Sequence, residues 1–493
     1  MSTSTVRGAK KIDVWRSLLS KSSGPLREAF RRTYGDEPSV LDHKQQKTLT
    51  VLEAFAAAFD EPAGCDAEVL VVRSCGRVNL MGMHVDHRGG FVNPVAFGDV
   101  IVIAQRRDDD RVILKNYEPE RFGDRSFTIH DELPVGEKID DWDRWTQANL
   151  ERLRSEGLMG DWSNYIKSAV LYLQHIHTRD DGTFDPALRG MNLMVYGTLP
   201  VSAGLSSSSS IVVGAMQACR RINDIHMDDM ATVEACRLAE WFVGTRGGGG
   251  DHAAIQFGRR DCVTHIGAFP VSVDWVPFPP EYRIVLANSL QMAEKSAGAR
   301  DMFNQRVAAY VFGLLMIRKN FPQYAEHLGQ LRDLNPGILG VDDAQVVRML
   351  RSLPERARRD QILQTLDDQV ELVRHTFGSH AEPADGYDIR QVCMFGVAEC
   401  MRAEMAVDLL RAGDIEGFGE LLNISHDGDR VTRLDHGKRV AVLNRYGDEK
   451  LDALVVDLTS GDEVRRARAR LHRQPGGYNV RIEALDVLVD IAR

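Results

Sequence analysis

The run Pro200-Val201-Ser202-Ala203-Gly204-Leu205-Ser206-Ser207-Ser208-Ser209-Ser210 sets small residues and hydroxyls between two apolar segments. Upstream, residues 191–196 read as a buried strand; downstream, residues 211–216 open a helical run that ends near Asn223. A helix starting at that junction offers unpaired N–H groups and the positive end of its dipole, which suit a phosphate. The serines add hydroxyl donors and a possible Mg²⁺ ligand. A flexible serine-rich linker is the competing reading, although linkers rarely abut apolar runs on both sides. No G-x-x-x-x-G-K-[ST] is present and no lysine follows the glycine, so the common phosphate loop is excluded. Further on, Gly247-Gly248-Gly249-Gly250 ends in Asp251. A stretch without side chains allows close backbone approach and exposes the carboxylate that follows; simple turn chemistry is the alternative.

The pattern P-x-x-x-G-L-S-S-S resembles the phosphate loop of the GHMP small-molecule kinases. Two further segments resemble the galactokinase branch of that family. Residues 76–90, Gly-Arg-Val-Asn-Leu-Met-Gly-Met-His-Val-Asp-His-Arg-Gly-Gly, are similar to its G-R-V-N-L-I-G-E-H-x-D-Y-x-G-G signature. Residues 240–252, E-W-F-V-G-T-R-G-G-G-G-D-H, resemble its glycine-rich segment ending in Asp-Gln. The three matches fall in the family's order and extend from about residue 50 to the end of the chain.

The resemblance implies an α+β, two-lobed GHMP kinase fold of mixed sheets and helices, with the active site between the lobes. It implies ATP with Mg²⁺ and phosphorylation of a sugar at its anomeric C1 hydroxyl, galactose or a close analogue. Phosphoryl transfer needs an aligned acceptor, neutralised phosphate oxygens and exclusion of water. Gly204, Leu205, Ser206, Ser207, Ser208 and Ser209 would cradle the nucleotide phosphates, and Ser207 with Glu240 would hold Mg²⁺, a hard ion suited to oxygen ligands. Asp251 would be the catalytic base at the anomeric hydroxyl. Arg77 would lie close enough to favour that carboxylate's anionic form and stabilise developing charge. Met83, His84, Asp86, Gly248 and Phe303 stand at sugar-binding positions. For Glu240 a solvated helix residue, and for Arg77 a surface ion pair, are the alternatives.

Several positions depart from the pattern. Met83 replaces the family's glutamate, and Phe303 stands where galactokinases usually carry tyrosine, so the pocket is less polar than a galactose site. The Gly-Thr-x-Gly-Gly-Gly run after Gly244, the eleven-residue step from Glu240 to Asp251 and the Phe-Asn-x-Arg segment resemble N-acetylgalactosamine kinases instead. Another hexose, or a relative that binds sugar and ATP without turnover, stays open. Residues 485–489 resemble the helix before a third motif, Thr-Gly-x-Gly-x-Gly-Gly, and the chain stops at Arg493 before it, so either the C-terminal domain is truncated or that loop has been lost.

Composition agrees with such an enzyme. The chain has 493 residues, enough for two or three domains, and a formal net charge of −10. That balance argues against nucleic acid or an anionic membrane as partner; the small-molecule sugar is the partner that the resemblance implies. Seven cysteines at 65, 75, 219, 236, 262, 393 and 400 show no C-x-x-C spacing, so neither a disulfide framework nor a zinc site is indicated. The N-terminus lacks an apolar leader and no window approaches a membrane span, which predicts a cytoplasmic protein with reduced thiols. Oligomeric state is not readable.

To position these motifs the pattern predicts a helix over 48–55, strands over 68–73, 100–104, 112–114 and 191–196, and a helix near 165–170. After the apolar run 283–287 helices dominate, over 300–319, 391–412 and 414–424. The predicted division is a weakly structured or helical extension, 1–45, an N-terminal domain, 46–280, and a C-terminal domain, 281–493, carrying a charged surface insertion at 427–477.

Overall fold

The computed structural model describes residues 6–59, 67–134, 136–291 and 297–493. Cys65 lies outside them; the six described cysteines are all free. The chain divides into two compact units: unit 1 is Met1–Val78 with Val95–Thr264, and unit 2 is Asn79–Pro94 with His265–Arg493.

Unit 1 is organised by a six-stranded sheet. Its strands are β1 (Lys10–Lys11), β2 (Glu68–Asn79), β3 (Pro94–Arg106), β4 (Arg111–Asn116), β5 (Arg125–Thr128) and β6 (Met191–Gly197), in the order β1-β2-β3-β6-β4-β5. β6 runs antiparallel to β3, with Val102 opposite Val195, and parallel to β4, with Leu114 opposite Leu193. Alternation with period two sends side chains to both faces, and both are covered. Ile101, Ile103 and Met194 pack with Val51, Leu52 and Phe55 of the helix Pro38–Ala58. Val100, Val102 and Val195 join Ile166 and Val170 of the helix Ser163–His175, and Val212 and Met216 of the helix Ser207–Ile222.

Residues 10–45 are not a separate extension. β1 pairs with β2, and the helix Ile12–Leu19 buries Ile12, Trp15 and Leu19 in the core over Val69 and Ile101. The Trp15 indole N–H donates to Val69 O at 2.9 Å.

Unit 2 is mainly helical. The long helices Ala297–Asn320 and Ile389–Ala412 contribute Tyr310, Phe312, Val392 and Phe395 to its core. The charged segment 427–477 is a correction to the sequence expectation, because it is woven into this core rather than carried on the surface. Tyr446, Leu451 and Leu471 are fully buried there, and Arg390 donates to Tyr446 O at 3.1 Å. A few apolar side chains scattered among its charges carry that burial, so composition alone hides it.

The unit boundary also differs from the expected break near residue 281. The second unit begins at His265 and takes in Asn79–Pro94, because the Gly82 and Met83 N–H groups both donate to Glu399 Oε1 at 2.9 Å. The apolar run 283–287 forms no strand, and Val285 is 86% exposed. Among the described residues no helix is long and apolar enough to cross a membrane.

Candidate active site

In unit 1 the serine run bends sharply before its helix. Gly204 has φ 73° and Ser206 φ 55°, and the helix starts at Ser207. A side chain at Gly204 would meet nothing within 4 Å, so its left-handed backbone is what calls for glycine. Gly76 is needed for the opposite reason: a Cβ there would sit 2.4 Å from Leu205 O, so only glycine lets β2 run beside the loop. The contact is tied by Arg77 N–H to Leu205 O at 3.2 Å, and by Ser210 Oγ to Cys75 O at 2.5 Å.

Asp251 opens the helix Gly250–Phe257, behind Gly249 at φ 85°. Its carboxylate receives Arg77 Nε at 2.7 Å on one oxygen and Ser206 Oγ at 2.5 Å on the other. Arg77 Nη1 also donates to Gly204 O at 2.6 Å. Three sequence-predicted residues, Arg77, Ser206 and Asp251, thus form one network at the start of the serine helix, and the Asp251 side chain keeps 39% exposure. A charge-assisted network of this kind fixes a carboxylate's orientation while leaving it reachable.

Glu240 starts a 3₁₀ turn, Glu240–Val243, and is buried, not solvated. The predicted metal pair was Ser207 with Glu240; the hydroxyl that donates to Glu240 Oε1, at 2.8 Å, is that of Ser209. Helix phase decides this, since Ser209 and Ser210 turn inward while Ser207 and Ser208 stay partly exposed. His252 Nε2 stands 3.4 Å from the same Oε1. An oxygen pair beside the helix Ser207–Ile222 fits a hard divalent cation. Gly248 is buried in the glycine run.

In unit 2 the remaining predicted residues come together. Met83 follows Gly82, where φ is 87° and a Cβ would sit 2.0 Å from Phe91 O. Asn79 Nδ2 lies 3.5 Å from the Met83 sulfur. His84 adopts φ 60°, which costs a non-glycine residue about 1–2 kcal/mol. It is held by Asp429 Oδ2 at 3.2 Å from its Nε2 and by stacking on Tyr478, ring centroids 4.3 Å apart. Burial opposes ionisation of Asp429, yet His84, Arg481 and the Val480 N–H hold its carboxyl below the ordinary value. Asp86 Oδ1 is 3.4 Å from His87 Nδ1, and Phe303, 43% exposed, has its ring 6.4 Å from His84 and 5.9 Å from His87.

Sequence reasoning missed the buried pair beneath this segment. Arg402 Nε donates to Glu399 Oε2 at 2.7 Å, both side chains are fully buried, and Ser425 Oγ reaches Glu399 Oε1 at 2.9 Å. The available signal was the spacing Glu399-x-x-Arg402, which puts both side chains on one face of the helix Ile389–Ala412. Asp429 and Tyr478 carried no such signal.

The chain matches the family model of the GHMP kinases N terminal domain over residues 164–259 and the galactokinase galactose-binding signature over residues 53–107. It is 26% identical over 406 residues to a galactokinase of Roseiflexus sp. (strain RS-1), covering 82% of this chain and 76% of that one. It is 27% identical over 395 residues to a galactokinase of Fusobacterium nucleatum, covering 78% and 82%. In fold it resembles the crystal structure of Lactococcus lactis galactokinase complexed with galactose, with TM-score 0.51, 21% identity, and 76% and 77% of the two chains covered.

The first model puts this α+β chain in the GHMP kinase superfamily. The signature match and these relatives support the galactokinase branch, the branch that the three motifs implied.

Proposed function

We propose that the chain is an ATP-dependent sugar kinase that phosphorylates the anomeric C1 hydroxyl of galactose or a close analogue, in the cytoplasm. The observation that carries this reading is the Asp251 carboxylate held by Arg77 and Ser206 at the start of the serine helix. In this reading Asp251 accepts the C1 hydroxyl proton as the oxygen bonds to the γ-phosphorus. The bond to the β,γ-bridging oxygen then breaks and ADP leaves. Arg77 orients the carboxylate and offsets negative charge that develops beside it. Backbone N–H groups of Ser207 and Ser208 and the hydroxyls around them bind phosphate oxygens. Glu240 and Ser209 would hold Mg²⁺, which when bound neutralises phosphate charge.

Met83, His84, Asp86, Gly248 and Phe303 are the sugar-contacting residues by resemblance. Met83 and the half-exposed Phe303 ring favour a second acceptor, N-acetylgalactosamine, whose acetamido methyl can rest on apolar side chains. ADP release measured across a panel of hexoses with ATP and Mg²⁺ tests both. Turnover with galactose or N-acetylgalactosamine is the expected result; no turnover with any hexose, together with unimpaired ATP binding, would favour a non-catalytic binding protein.

A further inference from the structure

His252 follows the proposed base directly and stands where the family's segment carries glutamine. It is 3% exposed, and neither ring nitrogen has a hydrogen-bond partner. Burying an imidazole with neither nitrogen hydrogen-bonded is unfavourable, because each loses its water without an equal replacement. Its Nε2 lies 3.4 Å from Glu240 Oε1 yet makes no hydrogen bond to it. That separation suits two ligands of one ion: with metal–ligand bonds of about 2.1 Å, neighbouring donors on a shared cation lie roughly 3.0–3.4 Å apart. The same Glu240 oxygen already carries the Ser209 hydroxyl at 2.8 Å, so carboxylate, imidazole and hydroxyl converge. Cys236 is also buried close by, but burial and the Glu240 charge push its thiol pKa up, so it remains a neutral thiol and adds no ligand.

We propose that Ser209, Glu240 and His252 form a mixed nitrogen and oxygen site that takes a transition-metal dication such as Mn²⁺ more tightly than Mg²⁺. The inference rests on the kinase reading only in expecting nucleotide phosphate to complete the shell. Oxygen-only sites suit Mg²⁺, whereas an imidazole nitrogen adds affinity for softer dications and little for Mg²⁺. Among the described residues no group of three or more His, Cys, Asp or Glu could hold an ion by itself. The protein therefore supplies two strong ligands and a hydroxyl, and tight binding requires nucleotide.

The test uses Mn²⁺ with ADP on the full chain. Electron spin echo spectroscopy of the Mn²⁺·ADP complex should show ¹⁴N coupling from a bound imidazole, lost in His252→Gln. Titration calorimetry should show Mn²⁺ affinity in the presence of ADP falling by about tenfold or more in His252→Gln, with Mg²⁺ affinity changed by less than about threefold. The wild-type spectrum needs no variant to fold. Nucleotide-dependent Mn²⁺ binding without ¹⁴N coupling would overturn the inference and leave the kinase reading standing. Absence of both ADP and Mn²⁺ binding would overturn the two together.

Discussion

The two carboxylate networks, one in each unit, are built on opposite principles. In unit 1 the proposed base, Asp251, keeps 39% of its side chain exposed and is bonded by Arg77 from the end of β2 and by Ser206 from the start of the serine helix. In unit 2 the carboxylate that organises the signature segment, Glu399, has no exposure and is closed off by Arg402, Ser425 and two backbone N–H groups. A carboxylate meant to exchange a proton must reach its substrate, while one meant to shape a backbone does best fully paired and dry. The difference teaches which acidic residues to test for chemistry and which for architecture.

The largest expected effect is on the exposed carboxylate. Asp251→Asn keeps shape but cannot take the hydroxyl proton, so kcat should fall by roughly 10²–10⁴-fold with nucleotide affinity nearly unchanged. Steady-state ADP release and calorimetry with ATP measure both. A variant that keeps more than about a tenth of wild-type kcat would make Asp251 architectural and erase the contrast.

Glu399→Ala should act on the other side of the comparison. It leaves the Arg402 guanidinium buried without its partner, which costs about 3–5 kcal/mol. A melt monitored by hydrogen exchange should show unit 2 opening first. Replacing both members, with Glu399→Leu and Arg402→Met, should restore much of the stability but not sugar affinity, because Gly82 and Met83 still lose their acceptor. Sugar affinity returning with the double change would mean that the pair supports packing alone.

Much of this architecture is legible in the sequence, unevenly. Short, nearly continuous apolar runs locate β2, β3, β4 and β6, and the serine run marks its own helix start, because both signals are local in sequence. The partner of Glu240 is not local. Whether Ser207 or Ser209 faces it depends on helix phase, which the left-handed turn at Ser206 sets. Glu399 hides because a buried charged pair looks in sequence like a solvated one. The run 283–287 has the β-branched residues of a strand, but strands need a partner and none is paired with it here. In the segment 427–477 abundant charge masks Tyr446, Leu451 and Leu471, whose burial depends on contacts with helices far away in sequence.

Acid should separate the units next. Burial and nearby arginines lower His426 in unit 2 to about 3, and burial with Arg473, Arg470 and Arg402 lowers His472 to about 4, from an ordinary 6.5. The unfolded chain binds protons near pH 6.5 that the folded unit refuses. Their stabilisation is therefore complete above pH 6.5 and is lost as pH falls toward 4, at roughly 1.4 kcal/mol per histidine for each pH unit. In unit 1 His175, lowered to about 4 by burial, is the counterpart. Hydrogen exchange at pH 7 and pH 5 should show protection in unit 2 falling faster, and His472→Gln should flatten the dependence. Equal loss in both units would remove this distinction.

The smallest effect concerns the acceptor. Met83 and Phe303 replace two polar side chains of the resembled family, and a site that hydrogen-bonds a hydroxyl discriminates more strongly than an apolar one. Met83 sits on the loop that Glu399 fixes, so a glutamate placed there inherits a defined backbone, with Asn79 Nδ2 already within reach of the side chain. Phe303 is half exposed beside His84 and His87, leaving room for a tyrosine hydroxyl. The double change Met83→Glu with Phe303→Tyr should raise kcat/KM for galactose relative to N-acetylgalactosamine by about tenfold, near the 1–3 kcal/mol that one added polar contact can supply. Each single change should move the ratio by less, and both should leave the melting temperature close to wild type because neither side chain is fully buried. An unchanged ratio in a stably folded double variant would show that these two side chains do not read the sugar.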